Sequence, residues 1–236
     1  MLRVAYRLPE HHHVHSTDRE QTMKIAIDPA SPTGATSTAE DWHRMRRDDI
    51  AACIVCGEDV MRRPRHGGGT LHFYHLKGSN CPTIPGASNR YHLLRALPRD
   101  PSLAKANRAY VFDNLIGIHD RMKELLGTIR IADTLKMCKA ATRENVWSLK
   151  GMPVEMLPYV LLSCMDQFPP LGNRLHPIYF VIQAPQDPSK YWNFPPNYAR
   201  HILMVNAADP TQFEAKLMSR SPPINSIVEE LRAMLT

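Results

Sequence analysis

Apolar and polar positions follow three different rhythms along this chain. Near the N-terminus, residues 2–6 and 23–27 read as short strands, the second alternating Met-Lys-Ile-Ala-Ile and halting at Asp28-Pro29. The histidine-rich stretch between them, residues 11–15, fits neither period and reads as a solvated loop. Residues 29–38 carry the composition of a loop. Ser37 or Thr38 then caps a short helix through Ile50, with Glu40 and Asp41 suited to its first turn.

Residues 51–85 have the character of a ribbon. Val60-Met61 and residues 71–74 read as two strands joined by a basic, glycine-rich loop over 62–70. Residues 89–97 predict one short helix before Pro98. Helical spacing takes over from Pro101. Leu103, Tyr110, Val111, Leu115, Ile118, Met122, Leu125 and Leu126 predict a helix opened by Asp100-Pro101 and stopped by Gly127. Further helices are expected over 131–141, 156–168 and 224–235, and buried strands over 178–183 and 201–205. The expected fold class is α+β: strands and loop over 1–40, a ribbon module over 41–99, and a mixed, mainly helical domain with a small sheet over 100–236.

Composition adds expectations of class and compartment. Of the 236 residues, 43% are hydrophobic and 22% charged, enough for a packed core. No apolar run reaches the roughly 20 residues of a membrane-spanning helix. The nearest, 152–168, is interrupted by Pro153, Glu155, Pro158 and Asp166. The N-terminus lacks a secretory pattern, so a cytoplasmic location is expected.

The formal net charge is +6, and it is unevenly spread. Between His43 and Arg99 there are ten Lys/Arg against four acids, and the rest of the chain balances to zero. That surplus is what a surface facing a polyanion requires, although solvated basic faces also look like this.

The same region holds three of the five cysteines. Cys138 and Cys164, in apolar surroundings, read as small core residues. Cys53-x2-Cys56 fits a knuckle closed by Gly57, which offers two thiolates from one turn. A histidine and Cys81 supply a second pair from a distant segment, in the spacing Cys56-x18-His75-x5-Cys81. His72 is the alternative to His75. On a strand, His72 shares a face with Tyr74 and His75 with Phe73, and His75 lies nearer the turn to Cys81. Four protein ligands fill a tetrahedral sphere, so the expected cofactor is one structural zinc ion with no open position for catalysis. The competing reading is three buried cysteines without metal. A redox pair lacks the surrounding βαβ pattern.

The Cys53-x2-Cys56 turn, the basic glycine loop, His72-Phe73-Tyr74-His75 and Cys81 resemble the zinc-finger segment of the competence protein CoiA-like family, over about residues 37–85. The resemblance implies Cys53, Cys56, His75 and Cys81 as ligands and a link to DNA uptake and processing. It also implies a nuclease domain downstream, which needs clustered carboxylates and a lysine. Here Glu214-Ala-Lys216 follows Asp209 by five residues, in what reads as a solvent-facing helix after Pro210, and Asn89 stands where a leading glutamate is expected.

The leading expectation is a zinc-ribbon protein that contacts nucleic acid phosphates through Arg44, Arg46, Arg47, Arg62, Arg63, Arg65 and Lys77. The alternatives are a protein-interaction component of a larger complex and a metal-dependent nuclease; no membrane partner is expected. Trp147, Tyr159, Tyr179, Tyr191, Trp192 and Tyr198 are able to stack bases but read better as core or loop packing.

Overall fold

The computed structural model describes residues 23–45, 50–64, 71–84, 92–185, 187–210 and 212–223, with Met234. The strand expected at 2–6, the histidine stretch, the glycines 67–69, Asn89 and, Met234 apart, the helix at 224–235 lie outside these residues.

Short apolar segments of period two build an antiparallel five-stranded sheet in the order β2-β1-β3-β4-β5. Its strands are β1 (Ile25–Ile27), β2 (Thr36–Thr38), β3 (Ala51–Ala52), β4 (Asp59–Pro64) and β5 (Leu71–His75). Met23, just ahead of β1, exchanges two backbone hydrogen bonds with Phe73 of β5, at 2.9 and 2.8 Å. The last strand is thereby tied back to the chain entering the first, and residues 23–38 share one hydrogen-bonded sheet with the cysteine-bearing segment. The helix α1 (Ala39–Met45) follows β2. Thr38 caps it: its hydroxyl accepts from the Asp41 N–H at 3.0 Å and donates to the Asp41 carboxylate at 2.8 Å. Trp42 of α1 packs edge-on against Phe73, with ring centroids 6.1 Å apart. The described part of α1 ends at Met45, 46–49 lie outside the described residues, and Ile50 is not helical.

The remaining helices follow the 3.6-residue pattern, with one interruption. In place of a single helix over 101–127, the chain forms α3 (Leu103–Asp113) and α4 (Leu115–Leu126), after the short α2 (His92–Arg95). Asn114 makes the break. Its backbone N–H and its side-chain amide both donate to the Tyr110 carbonyl at 3.0 Å, so a side chain competes for the helical acceptor. Gly127 ends α4 at φ 76°, a conformation that suits glycine. The helix α5 (Ile131–Arg143) is two residues longer than expected. The helix expected over 156–168 is only α6 (Leu157–Ser163), because Phe168 pairs by backbone with Ile178 and leaves the helical path.

A second antiparallel sheet, in the order β6-β7-β8, comprises β6 (Ile178–Ile182), β7 (His201–Asn206) and β8 (Phe213–Leu217). The segment around Glu214 is therefore a strand and not the expected helix; pairing with β7 overrides its helix-forming Glu-Ala-Lys composition. Every residue of β6 is buried, as expected for a strand covered on both faces. Tyr179, Val181, Leu203 and Val205 join one core with the five-stranded sheet. Ile178, Phe180, Ile182 and Ile202 join the other core with α4, α5 and α6. The three-stranded sheet is thus a middle layer in an α+β fold. Among the described residues no helix is long and apolar enough to cross a membrane.

Candidate metal centre

The hairpin register explains how three separated segments meet. Ala52 pairs with Asp59, so residues 53–58 form the loop joining β3 and β4. Inside it, Gly57 donates to the Cys53 carbonyl at 3.0 Å, with its φ at 75°. Gly57 thus turns the knuckle in a conformation that few other residues accept. The Val55 N–H lies 3.3 Å from the Cys53 sulfur, placed to steady negative charge there.

Across the next hairpin, Val60 of β4 pairs with His75 of β5. This register sets His75 beside the knuckle, on the face it shares with the fully buried Val60 and Phe73. The chain then turns through Leu76–Asn80 to deliver Cys81. The Ser79 hydroxyl donates to the Glu58 carboxylate and accepts from the Cys81 N–H at 3.2 Å, joining the knuckle to the Cys81 loop.

The ligand atoms of Cys53, Cys56, His75 and Cys81 all lie within 4.8 Å of one another. Cys53 Sγ is 3.9 Å from Cys81 Sγ, and Cys56 Sγ is 3.4 Å from His75 Nε2. The three cysteines are buried and none forms a disulfide; His75 is half-buried. His72, buried on the opposite strand face, is not part of the group. The arrangement can hold a metal ion with four protein ligands. His75 Nδ1 finds no hydrogen-bond partner among the described residues, so β5 and the sulfur contact set the ring's orientation.

Crowding three thiols also shapes their acidity. Burial pushes Cys53 well above the ordinary thiol range, and hydrogen bonding to Cys53 and Cys81 raises Cys56. Hydrogen bonds from Cys53 and Cys56 pull Cys81 far down. Gathering three thiolates here is costly by itself, and a divalent ion would offset that cost.

Residues that composition did not single out hold this centre in place. Thr83 lies with its hydroxyl 3.1 Å from Cys81 Sγ, and the Ala184 N–H donates to the Val55 carbonyl at 3.1 Å. Glu58 and Ser79 act through hydrogen bonds across 21 residues, which no local motif announces.

The expected polyanion-binding residues are only partly brought together. Arg62 in β4 donates to His43 Nδ1 of α1 at 2.6 Å, which sets the end of α1 beside that strand. Arg63, on the other strand face, lies 4.1 Å over the Tyr74 ring. Arg44 forms an ion pair with Asp41, and Lys77 is exposed in the turn after β5. Arg46, Arg47 and Arg65 lie outside the described residues. Of the aromatics considered for base stacking, Trp147, Tyr159, Tyr179 and Tyr191 are buried. Cys164 is buried as expected, whereas Cys138 is only partly so. Glu214 and Lys216 project from the edge strand β8 and pair with each other at 3.4 Å.

No family model, curated protein or solved structure matches the chain. The resemblance to the CoiA-like zinc finger rests on its own residues.

Proposed function

We propose that Cys53, Cys56, His75 and Cys81 hold one structural zinc ion and that the basic surface around this centre contacts nucleic acid. The observation that carries the zinc reading is the convergence of three sulfurs and one imidazole nitrogen in a buried pocket. Zinc favours this donor set in tetrahedral geometry, which places its sulfurs roughly 3.8 Å apart and a sulfur and nitrogen roughly 3.5 Å apart. The separations of 3.9 and 3.4 Å agree with that geometry. With four protein ligands no position is left for a reacting water, so the ion is a staple joining two hairpins.

The nucleic-acid reading is supported by the confinement of the chain's whole positive surplus to residues 43–99. Arg62, Arg63, Arg44 and Lys77 sit on or beside the sheet that carries the centre, and Arg46, Arg47 and Arg65 belong to the same segment. Backbone phosphates are the groups such residues recognise, without base readout. The test is a titration of the zinc-loaded protein with a single-stranded and a duplex oligonucleotide at rising salt. Affinity should fall linearly on logarithmic axes, and Arg62→Glu with Arg63→Glu should weaken it at least tenfold, by the loss of two phosphate contacts and the gain of two repulsive charges. Absence of binding at low salt, or binding indifferent to salt, sinks the reading.

A further inference from the structure

Arg200 occupies an unusual position for a cation. It lies just ahead of β7, is only 5% exposed, and forms no ion pair among the described residues. Three rings surround its guanidinium: Phe194, Tyr191 and Trp192 have centroids 4.3, 4.8 and 5.4 Å from its central carbon. Cation–π attraction holds the group in place, but it does not satisfy N–H donors. One terminal nitrogen makes a long 3.4 Å bond to the Gln183 carbonyl, the other reaches the Met156 sulfur at 4.0 Å, and the Tyr191 side chain also engages the group. The Arg200 Nε–H and the Trp192 indole N–H are both buried with no partner among the described residues. A buried charge left in this condition is costly unless something completes it.

Arg200 and Trp192 both line one cavity of about 60 Å³. Its other walls include Met156, Met218, Phe194 and a second cation, Arg220. Arg220 is exposed, and its guanidinium is anchored to the Pro195 and Tyr198 carbonyls at 2.6 and 3.1 Å. Burial, reinforced in the same direction by Arg220, lowers Arg200 to about 10, so it remains a cation at neutral pH. Glu155 also lines the cavity but pairs with neither arginine among the described residues. Among the described lining residues, two cations and one carboxylate leave a surplus of one positive charge. That surplus matches a monoanion better than a doubly charged phosphate, and the apolar walls suit a short hydrocarbon stem.

We propose that this cavity is a binding site for a small carboxylate, whose oxygens accept from Arg200 Nε and Trp192 Nε1 while Arg220 guards the mouth. The site shares no residue with the cysteine cluster and does not depend on the zinc reading.

The experiment uses the full chain and sodium acetate as probe, with sodium chloride at equal ionic strength as reference and inorganic phosphate as comparator. Thermal midpoint and tryptophan fluorescence are both followed. Acetate should raise the midpoint saturably above chloride, and phosphate should act more weakly. Trp192→Phe keeps the ring but removes one donor to a charged group and should weaken acetate binding roughly tenfold. Arg200→Gln should abolish the acetate effect, and Arg220→Gln should reduce it. The proposal is overturned if acetate acts no differently from chloride, if phosphate binds more tightly, or if Trp192→Phe responds as the parent does. Trp192→Phe keeps the test decisive should Arg200→Gln fail to fold.

Discussion

The phenolic hydroxyl of Tyr179, the second residue of β6, donates a 3.0 Å hydrogen bond to the carbonyl of Pro82, the residue after Cys81. Ninety-seven residues separate the two in sequence, yet both are buried. This polar contact fastens the loop bearing Cys81 to the middle sheet, beside the backbone bond between Ala184 and Val55 that ties the knuckle to it. Tyr179→Phe keeps the ring and leaves the Pro82 acceptor without this donor. It should lower the stability of the metal-loaded protein by about 1–2 kcal/mol in urea unfolding and speed metal loss to a chelator. Unchanged stability and release would mean that the Cys81 loop is held by its own turn alone.

The alternation of residues 71–75 made the partition of His72 and His75 legible in sequence, because a strand pairs only one of them with Phe73. The cysteine spacing likewise announced the knuckle, since Gly57 supplies the one backbone conformation the turn needs. Glu214 was not legible. Phe213, Ala215 and Leu217 do alternate, but Glu-Ala-Lys composition favours a helix, and only pairing with β7 decides the matter. The break at Asn114 was hidden for a related reason. Apolar spacing continues across it, and a single amide side chain reaching back to Tyr110 ends the helix. The cage around Arg200 is assembled by a loop folding onto the start of β7, which leaves no periodic trace.

Ligand identity can be tested by paired substitutions. The parent chain should carry one zinc per molecule. His75→Ala should lower zinc affinity by about two orders of magnitude or more, since structural zinc binding is worth on the order of 10–16 kcal/mol over four ligands. His72→Ala removes a buried side chain and should reduce thermal stability while retaining full zinc stoichiometry. Metal analysis after dialysis against a weak chelator separates the two. Retention of zinc by His75→Ala together with loss in His72→Ala would reverse the assignment.

Gly34 offers a test of the loop that leads into β2. Its φ is +69°, and a Cβ there would stand 2.4 Å from the Tyr198 ring. The contact is reinforced by the Ala199 N–H, which donates to the Thr33 carbonyl at 2.9 Å. Gly34→Ala must therefore both strain the backbone and push Tyr198 away from Gln183, to which it is bonded at 3.4 Å. A loss of about 2–3 kcal/mol is expected in urea unfolding. Adding Tyr198→Ala should recover the steric part but leave the backbone part of roughly 1 kcal/mol. Full recovery, or no loss in the single variant, would contradict the close approach.

Cys164 predicts the behaviour of the fold in alkali. Burial pushes its thiol up to about 12, against roughly 8.5 for a free cysteine. Because the folded pKa is the higher one, the buried thiol's contribution is fully present below the unfolded pKa. It is then lost as pH rises toward 12, over which range the unfolded chain binds fewer protons. The slope for this one group approaches about 1.4 kcal/mol per pH unit. Tyr191, raised by burial to about 12, adds a second loss that begins nearer pH 10. Cys164→Ala should cost some stability at pH 7, where it leaves a small void, yet flatten the decline between pH 9 and 11. Chemical unfolding of both proteins at each pH gives the difference directly. Parallel curves would show that the Cys164 thiol ionises without unfolding the helical core.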